Sequence, residues 1–388
     1  MKNIFVKIMS YVLVAAIAAV TTVCCCVAFL QPSVEDGKLL RLQSLLDQCF
    51  IGEVDRTKLN DAAASAMVDA LGDRWSYYIS AEEYGNYQNA MNNVTVDTGI
   101  TVQALEDGSG YLVLSVTGNS PAVEAGLQKN DVILAADGNS LAGLSQAETS
   151  ALLRGEAGTQ VRLTVRRGGE VKEFTVTRKS FRIPVATYTM LEGNVGLVTI
   201  ENFDARCAEE TIAAIKALQD QGATALIFDV RNNPGGYKHE MVKVLDYLLP
   251  SGELFKSEDY RGSVEIDYSD DACVELPMAV LINGDSYSAA EFFAAALNDY
   301  DAAIVVGEKT SGKGYFQSTF ELGDGSAVNL SIGKYYTPGG ISLAGVGLTP
   351  EVPLVVDEYT AYMIAVDALE PTEDPQIMAA VNALKSVN

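Results

Sequence analysis

Ala279-Val280-Leu281-Ile282-Asn283-Gly284-Asp285-Ser286-Tyr287-Ser288-Ala289-Ala290-Glu291-Phe292-Phe293 is the stretch that decides the fold. Its apolar run reads as a buried strand, Asn283-Gly284-Asp285 as a tight turn, and the segment from Ala289 to Leu297 as a helix. A serine at that junction meets the unpaired N–H groups of the first helical turn, whose dipole favours an oxyanion. A second strand, Ala303-Ile304-Val305-Val306, runs into the glycine-flanked loop from Gly307 to Gly314. Two neighbouring parallel strands would bring Ser288 and Lys313 to the same end of one sheet, where the sites of α/β sheets gather.

The 388 residues allow two or three domains, and a hydrophobic content of 48% is that of a globular protein. A net charge of −24 argues against nucleic acid as a partner, because that needs a basic face. Lys2 and Lys7 precede an uncharged run from Tyr11 to Leu30, and Glu35-Asp36 follow it. Twenty helical residues span roughly 30 Å, the thickness of the hydrocarbon layer. The expectation is a single-pass membrane helix in residues 1–30, with the rest of the chain extracytoplasmic. The alternative is a cleaved signal peptide and a secreted protein. Cys24-Cys25-Cys26 read as small membrane-buried residues, with acylation as the other reading. Cys49, Cys207 and Cys273 are scattered, with neither metal spacing nor a disulfide framework.

Residues 31–92 read as helical, with leucines at helical spacing from Leu39 to Leu46. The lone Trp75 reads as a core residue without chemistry. Residues 93–180 read as short strands and turns, with Ser120-Pro121-Ala122 leading to Ala125-Gly126-Leu127 and with Asp131-Val132-Ile133 before Asp137-Gly138. This order resembles a PDZ domain of the bacterial protease type. The resemblance implies a groove that takes a peptide C-terminus as an added strand, its carboxylate held by the loop Gly99-Ile100-Thr101-Val102. A second glycine usual in that family is Thr101 here. Residues 181–388 read as α/β with a helical tail: strand Val195 to Ile200, helix Ala208 to Gln219, strand Ala225 to Val230, then Arg231-Asn232-Asn233-Pro234-Gly235-Gly236.

A serine nucleophile needs a base. The one histidine, His239, follows the Gly235-Gly236 turn and reads as a surface or neighbouring residue more readily than as the base. A neutral lysine can serve if burial lowers its pKa. On spacing alone, Lys313 reads as a surface-loop lysine. Ser331 and Lys334 have the spacing of another serine–lysine arrangement, but on an alternating strand rather than a helix.

Ser286-Tyr287-Ser288-Ala289-Ala290-Glu291, Gly307-Glu308 with Thr310, Gly312-Lys313-Gly314 and Gln317, the Asp229 to Gly236 run, Asp73 with Ser76 and Tyr78, and Gly347-Leu348-Thr349-Pro350-Glu351-Val352 resemble the carboxy-terminal processing peptidases, or tail-specific proteases. The resemblance spans residues 38–355. Together with the membrane helix read from the uncharged run, it implies an α+β multidomain chain with a helical segment, a β-rich PDZ domain and an α/β, crotonase-like catalytic core. Ser288 falls on the family's nucleophile, Lys313 on its general base and Gln317 on the residue that orients the lysine. The amides of Ala289 and of Gly235 or Gly236 fall on the oxyanion hole. Ser286 competes, but the spacing to Lys313 and the alignment to Glu291 favour Ser288. Glu291 suits the helix dipole and reads as structural. The family has serine where Ala290 stands and a smaller residue at Tyr287, which points to altered substrate preference. The resemblance thus implies a serine endopeptidase acting on proteins with free C-termini, without metal or cofactor, and it leaves homo-oligomers open. The rival reading is a catalytically silent PDZ scaffold.

Overall fold

The computed structural model describes residues 36–386. The expected membrane helix of residues 1–30, Cys24-Cys25-Cys26 included, lies outside the described residues. Among the described residues no helix is long and apolar enough to cross a membrane. The chain divides after Met67 into two compact units. In the first, helices α1 (Asp36–Cys49) and α2 (Arg56–Asp69) are joined by Gln43 Nε2 donating to Asn60 Oδ1 at 2.8 Å and by an Arg56–Asp47 ion pair.

The second unit opens with β1 (Tyr77–Ile79) and α3 (Ala81–Met91). Residues 31–92 are therefore not helical throughout. The strand β1 is too short to show a period, and pairing with a distant strand decides its state. The Ser80 hydroxyl caps α3 in a reciprocal box with Glu83.

A β-rich module follows. Strand β2 (Val94–Asp97) leads into β3 (Ile100–Ala104), β4 (Tyr111–Val116), α4 (Pro121–Ala125), β5 (Val132–Ala136), β6 (Asn139–Ser140), α5 (Gln146–Leu153), β7 (Gln160–Arg167) and β8 (Glu170–Thr177), and β9 (Lys179–Arg182) closes it. The main sheet runs β3-β4-β5-β7-β8, with β6 on β5. Val113, Ile133, Val161, Leu163, Val165 and Val176 alternate inward to fill its core. Strands β2 and β9 pair antiparallel, so the module enters and leaves through one two-stranded ribbon.

The central sheet is built from β10 (Ala186–Leu191), β11 (Val195–Ile200), β12 (Ala225–Asp229) and three later strands. Helix α6 (Cys207–Asp220) joins β11 to β12, and α7 (Lys238–Leu248) follows β12. The chain leaves through β13 (Gly252–Asp259) and β14 (Val264–Ser269). It returns as β15 (Met278–Ile282), α8 (Ala289–Asp299) and β16 (Ala303–Gly307), then β17 (Tyr315–Glu321), β18 (Ala327–Tyr336), β19 (Val352–Pro353), α9 (Glu358–Ala365) and α10 (Pro375–Lys385). The central order is β10-β11-β12-β15-β16-β19, and all neighbours but β10 and β11 are parallel.

Every residue of β12 and β15 is buried, as a strand covered on both faces requires. Leu226, Phe228, Val280 and Ile282 face one core, shared with Met241, Val244, Phe292 and Phe293 of the helices. Ala225, Ile227, Ala279 and Leu281 face the other, against Ile377, Ala380 and Val381 of α10. Pro375 holds the first helical position of α10, after the capping carboxylate of Asp374. The remaining sheet runs β1-β18-β13-β14 with β17 also on β18, and it brings Tyr77, Gln317 and Ser257 beside the carboxyl ends of the central strands.

Candidate active site

Helix α8 is buried all round from Ala289 to Leu297, so its first turn is fixed by packing on every side. Ser288 caps it with φ 57° and ψ −123°, a left-handed backbone that costs a non-glycine residue roughly 1–3 kcal/mol. The Pro234-Gly235-Gly236 loop presses on this turn. A Cβ on Gly235 would lie 2.7 Å from Ser288 Cβ and 2.8 Å from Ala289 N, so only glycine fits there. Gly235 N–H donates to Asn233 Oδ1 at 2.8 Å. The N–H groups of Ala289 and Gly236 have no acceptor among the described residues. Of the three candidate oxyanion amides, these two are free.

Ser286 is elsewhere engaged. It is fully buried, its Oγ donates to Val230 O at 2.7 Å, and it accepts from Asn283 N at 3.0 Å. Ser288 is half-buried and lines a cleft of about 1020 Å³ together with Trp75, Asp204, Gly236, Tyr287, Lys313 and Gln317. His239 does not line this cleft; its ring stacks on Tyr237 at 5.2 Å and its Nε2 lies 3.4 Å from Glu240.

Lys313 is held by its backbone. A Cβ on Gly312 would meet Gly347 N at 2.9 Å, and one on Gly314 would meet Ala344 N at 2.2 Å, so the loop packs flat against residues 343–347. Glu291, fully buried, organises the loop. Its carboxylate accepts from Gly312 N at 2.9 Å, Lys313 N at 2.7 Å, Thr310 Oγ1 at 3.0 Å and Tyr335 OH at 3.3 Å, and also from Ser288 N at 3.2 Å. The residue read as a partner of the helix dipole thus ties the serine turn to the lysine loop.

The Lys313 ammonium lies 4.8 Å from the centroid of Trp75 and 5.7 Å from that of Tyr287. Burial lowers its pKa to about 8, against the opposing pull of Glu291 and Asp73; the Arg74 charge adds to the lowering. Lys313 is therefore not a surface-loop lysine. Trp75 is not a core residue either: half-buried, it packs against Tyr287 at 5.4 Å, with the Arg74 guanidinium 4.1 Å from its centroid. Nothing local in the sequence marks this contact; the nearest signal is Asp73 with Ser76, which hold the segment. Ser76 Oγ donates to Asp73 at 2.6 Å and accepts from Ser331 N at 2.9 Å. Burial would raise the Asp73 pKa, but hydrogen bonds from Ser331, Ser76 and Trp75 N–H, with the Lys313 charge, bring it below its ordinary value. Gln317 Nε2 donates to Ser331 Oγ at 3.0 Å and to Tyr315 O at 3.2 Å. Its bonds go to the wall beside Lys313 rather than to the lysine. Ser331 serves as a link between Gln317 and Asp73.

In the β-rich module, Gly99 (φ 80°) precedes β3, and a Cβ there would meet Ser120 Cβ at 2.2 Å. Ile100, Thr101 and Val102 lie on β3, the edge strand of its sheet. Gln146 Nε2 of α5 donates to Val102 O at 3.0 Å, at the strand's free edge.

Residues 194–354 match the model of peptidase family S41, and residues 96–177 match that of a PDZ domain. A relative from Staphylococcus epidermidis (strain ATCC 12228), described as a "Probable CtpA-like serine protease", is 30% identical over 334 residues, which cover 85% of this chain and 67% of the relative. The chain belongs to peptidase family S41. A Staphylococcus aureus (strain COL) relative of the same description is 32% identical over 327 residues. The match covers 83% of this chain, and the chain spans 65% of that relative's length. Among solved structures, a photosystem II D1 C-terminal processing protease is 26% identical with a TM-score of 0.50, covering 87% of this chain and 92% of that one. An S41-family protein from Bacteroides fragilis shares the fold, with a TM-score of 0.63 at 20% identity over 84% of this chain and 90% of that one. This S41 chain is thus an α+β multidomain protein with a PDZ domain and an S41 core. Among the described residues no group of acidic, histidine or cysteine side chains could hold a metal ion.

Proposed function

We propose that this chain is a serine endopeptidase whose PDZ domain receives protein C-termini and whose S41 core hydrolyses the peptide bond. One observation carries the reading: a single buried carboxylate, Glu291, holds both Ser288 and the loop of a lysine whose pKa is lowered to about 8. Neutral Lys313 takes the Ser288 Oγ proton as Oγ bonds to the peptide carbonyl carbon. The tetrahedral oxyanion receives the N–H groups of Ala289 and Gly236. The C–N bond breaks as Lys313 returns the proton to the leaving amine. Water, deprotonated by the same lysine, then attacks the acyl-enzyme and frees Ser288. Gln317, through Ser331, fixes the wall against which the lysine works.

After an anchor in residues 1–30, the family resemblance supports a division into residues 31–92 as helical region, 93–180 as PDZ domain and 181–388 as catalytic domain. We assign residues 1–30 as a membrane anchor with the S41 core extracytoplasmic; the uncharged run from Tyr11 to Leu30 between lysines and acids supports this. The silent scaffold is not favoured, since a scaffold has no use for a desolvated lysine beside a strained serine. Incubation with an unfolded reporter protein and a fluorophosphonate tests the reading. The wild-type chain should cleave the reporter and label at Ser288; absence of both in a correctly folded preparation would sink it.

A further inference from the structure

Asp204 lies in the cleft wall, and neither the hydrolytic step nor the fold accounts for it. It follows Phe203, which pairs with Gly236: Phe203 N–H donates to Gly235 O at 2.7 Å, and Tyr237 N–H donates to Phe203 O at 2.8 Å. Asp204 therefore stands beside Gly236, where a Cβ would lie 2.6 Å from Asp204 N, and Gly236 is the neighbour of the glycine that packs on the Ser288 turn. It is half-buried, and its Oδ1 is shielded from water with no hydrogen-bond partner among the described residues. A carboxylate so placed is costly unless something compensates it. Burial alone raises its pKa, to about 7.

The cleft's own cations are committed elsewhere. Lys238 pairs with Glu265 at 3.1 Å and Asp267 at 3.0 Å, Arg74 lies over Trp75, and Lys313 belongs to the serine. Tyrosines share its cleft. Tyr77, Tyr84, Tyr87 and Tyr237 line the same cleft, and the Asp204 charge reaches both Tyr77 and Tyr237. Three of the hydroxyls are tied back: Tyr84 OH donates to Glu321 at 2.9 Å, Tyr87 OH shares a hydrogen bond with Thr319 at 3.2 Å, and Tyr77 bonds to Tyr87. Fixed aromatic rings beside an uncompensated carboxylate suit a long cationic side chain. The rings take the stem and the planar guanidinium, and the carboxylate takes its N–H groups.

We propose that Asp204, within the wall of Tyr77, Tyr84, Tyr87 and Tyr237, is the subsite for an arginine or lysine side chain flanking the scissile bond. This rests on the endopeptidase reading and names its substrate class. The test uses the whole chain and a positional library of unstructured peptides carrying Arg, citrulline or Glu at each position in turn. Citrulline keeps the shape of arginine without its charge. At one position near the cut, wild-type kcat/KM should favour Arg over citrulline by about tenfold or more. The ratio should fall to near one in Asp204→Asn, and Asp204→Lys should turn the preference toward Glu. Anisotropy with the same peptides on Ser288→Ala reads the subsite without turnover, and thermal melts confirm that each variant is folded. Binding that favours Arg, is lost with Asp204→Asn and comes without wild-type cleavage would keep the subsite and reject the hydrolase. Cleavage with no Arg preference, a preference that survives Asp204→Asn, or no preference in either readout would overturn the subsite.

Discussion

Glu291 Oε1 accepts the backbone N–H of Lys313 at 2.7 Å, and the same oxygen takes the N–H of Ser288. Ser288 and Lys313 are thus registered to each other through the main chain, independently of their side-chain rotamers. Glu291→Gln would turn an NH₂ group toward donors that need an acceptor. We expect a loss of about 2–4 kcal/mol in stability, since bonds to a buried charge carry more than neutral ones. Activity should fall further than the unfolded fraction explains. Denaturant melts beside reporter cleavage check this; equal losses in both would leave Glu291 with a purely structural role.

The lowered pKa of Lys313 sets two pH dependences. In the proposed mechanism cleavage needs the neutral amine, so kcat/KM should rise with pH through about 8 and then level off. Stability has its own sign. Between about 8 and the ordinary 10.5, the unfolded chain holds a proton that the folded chain has released, so this residue's contribution to stability improves as pH rises through that window. Below it, the buried ammonium is a full cost. Lys313→Met should therefore be inactive yet more stable at pH 6, by on the order of 1 kcal/mol once solvent screening is allowed for. Lys313→Arg should be inactive because a guanidinium does not deprotonate. Turnover by that variant would move the base elsewhere.

Trp75 acts on Lys313 in two opposing ways. Its bulk keeps water away, which lowers the lysine pKa; its ring face attracts the cation, which raises it. Burial is the dominant cause of the shift. Trp75→Ala should accordingly move the pH profile upward by about one unit. A downward move would show that the ring's attraction for the cation prevails.

The two serines should separate cleanly. Ser288→Ala should abolish cleavage and leave the melting temperature near that of wild type, whereas Ser288→Gly should be inactive and more stable by about 1 kcal/mol, because glycine accepts φ 57° without strain. Ser286→Ala should stay active but lose about 1–3 kcal/mol, since it strands the part-buried Asn283 N–H. Activity lost only with Ser286 would make it the nucleophile.

For the PDZ domain, free-acid apolar tails should bind full-length Ser288→Ala more tightly than their amides. Gln146 holds a carbonyl that an added strand could use. Gln146→Ala should strengthen tail binding by a few-fold, within the net worth of one hydrogen bond of about 1 kcal/mol. Weaker binding would show that Gln146 contacts the tail instead.

Much of this was legible in the chain because it is local. The apolar runs of β12 and β15 declare strands buried on both faces, and Asn283-Gly284-Asp285 declares the turn into α8. Glycines about Lys313 signal close backbone packing, and the glycine contacts bear that out. The unread parts depend on distant partners. Strand β1 exists because Tyr77 meets Asn329, and Trp75 matters because it meets Tyr287 and Lys313. Strands β13 and β14 carry mixed polar sequences with no clear alternation, and pairing defines them. The orphaned oxygen of Asp204 is a property of what fails to reach it, which no linear pattern encodes.

The ribbon of β2 and β9 gives the PDZ domain one doorway. Val94 faces Arg182, Asn93 and Asn202 exchange side-chain hydrogen bonds at its foot, and Asp204 lies two residues further on. In topological terms the module takes the place of the turn in a β-hairpin. Such a splice point lets evolution, or an engineer, exchange the PDZ domain as a cassette, or shrink it to a few turn residues, without rethreading the sheet of the S41 core.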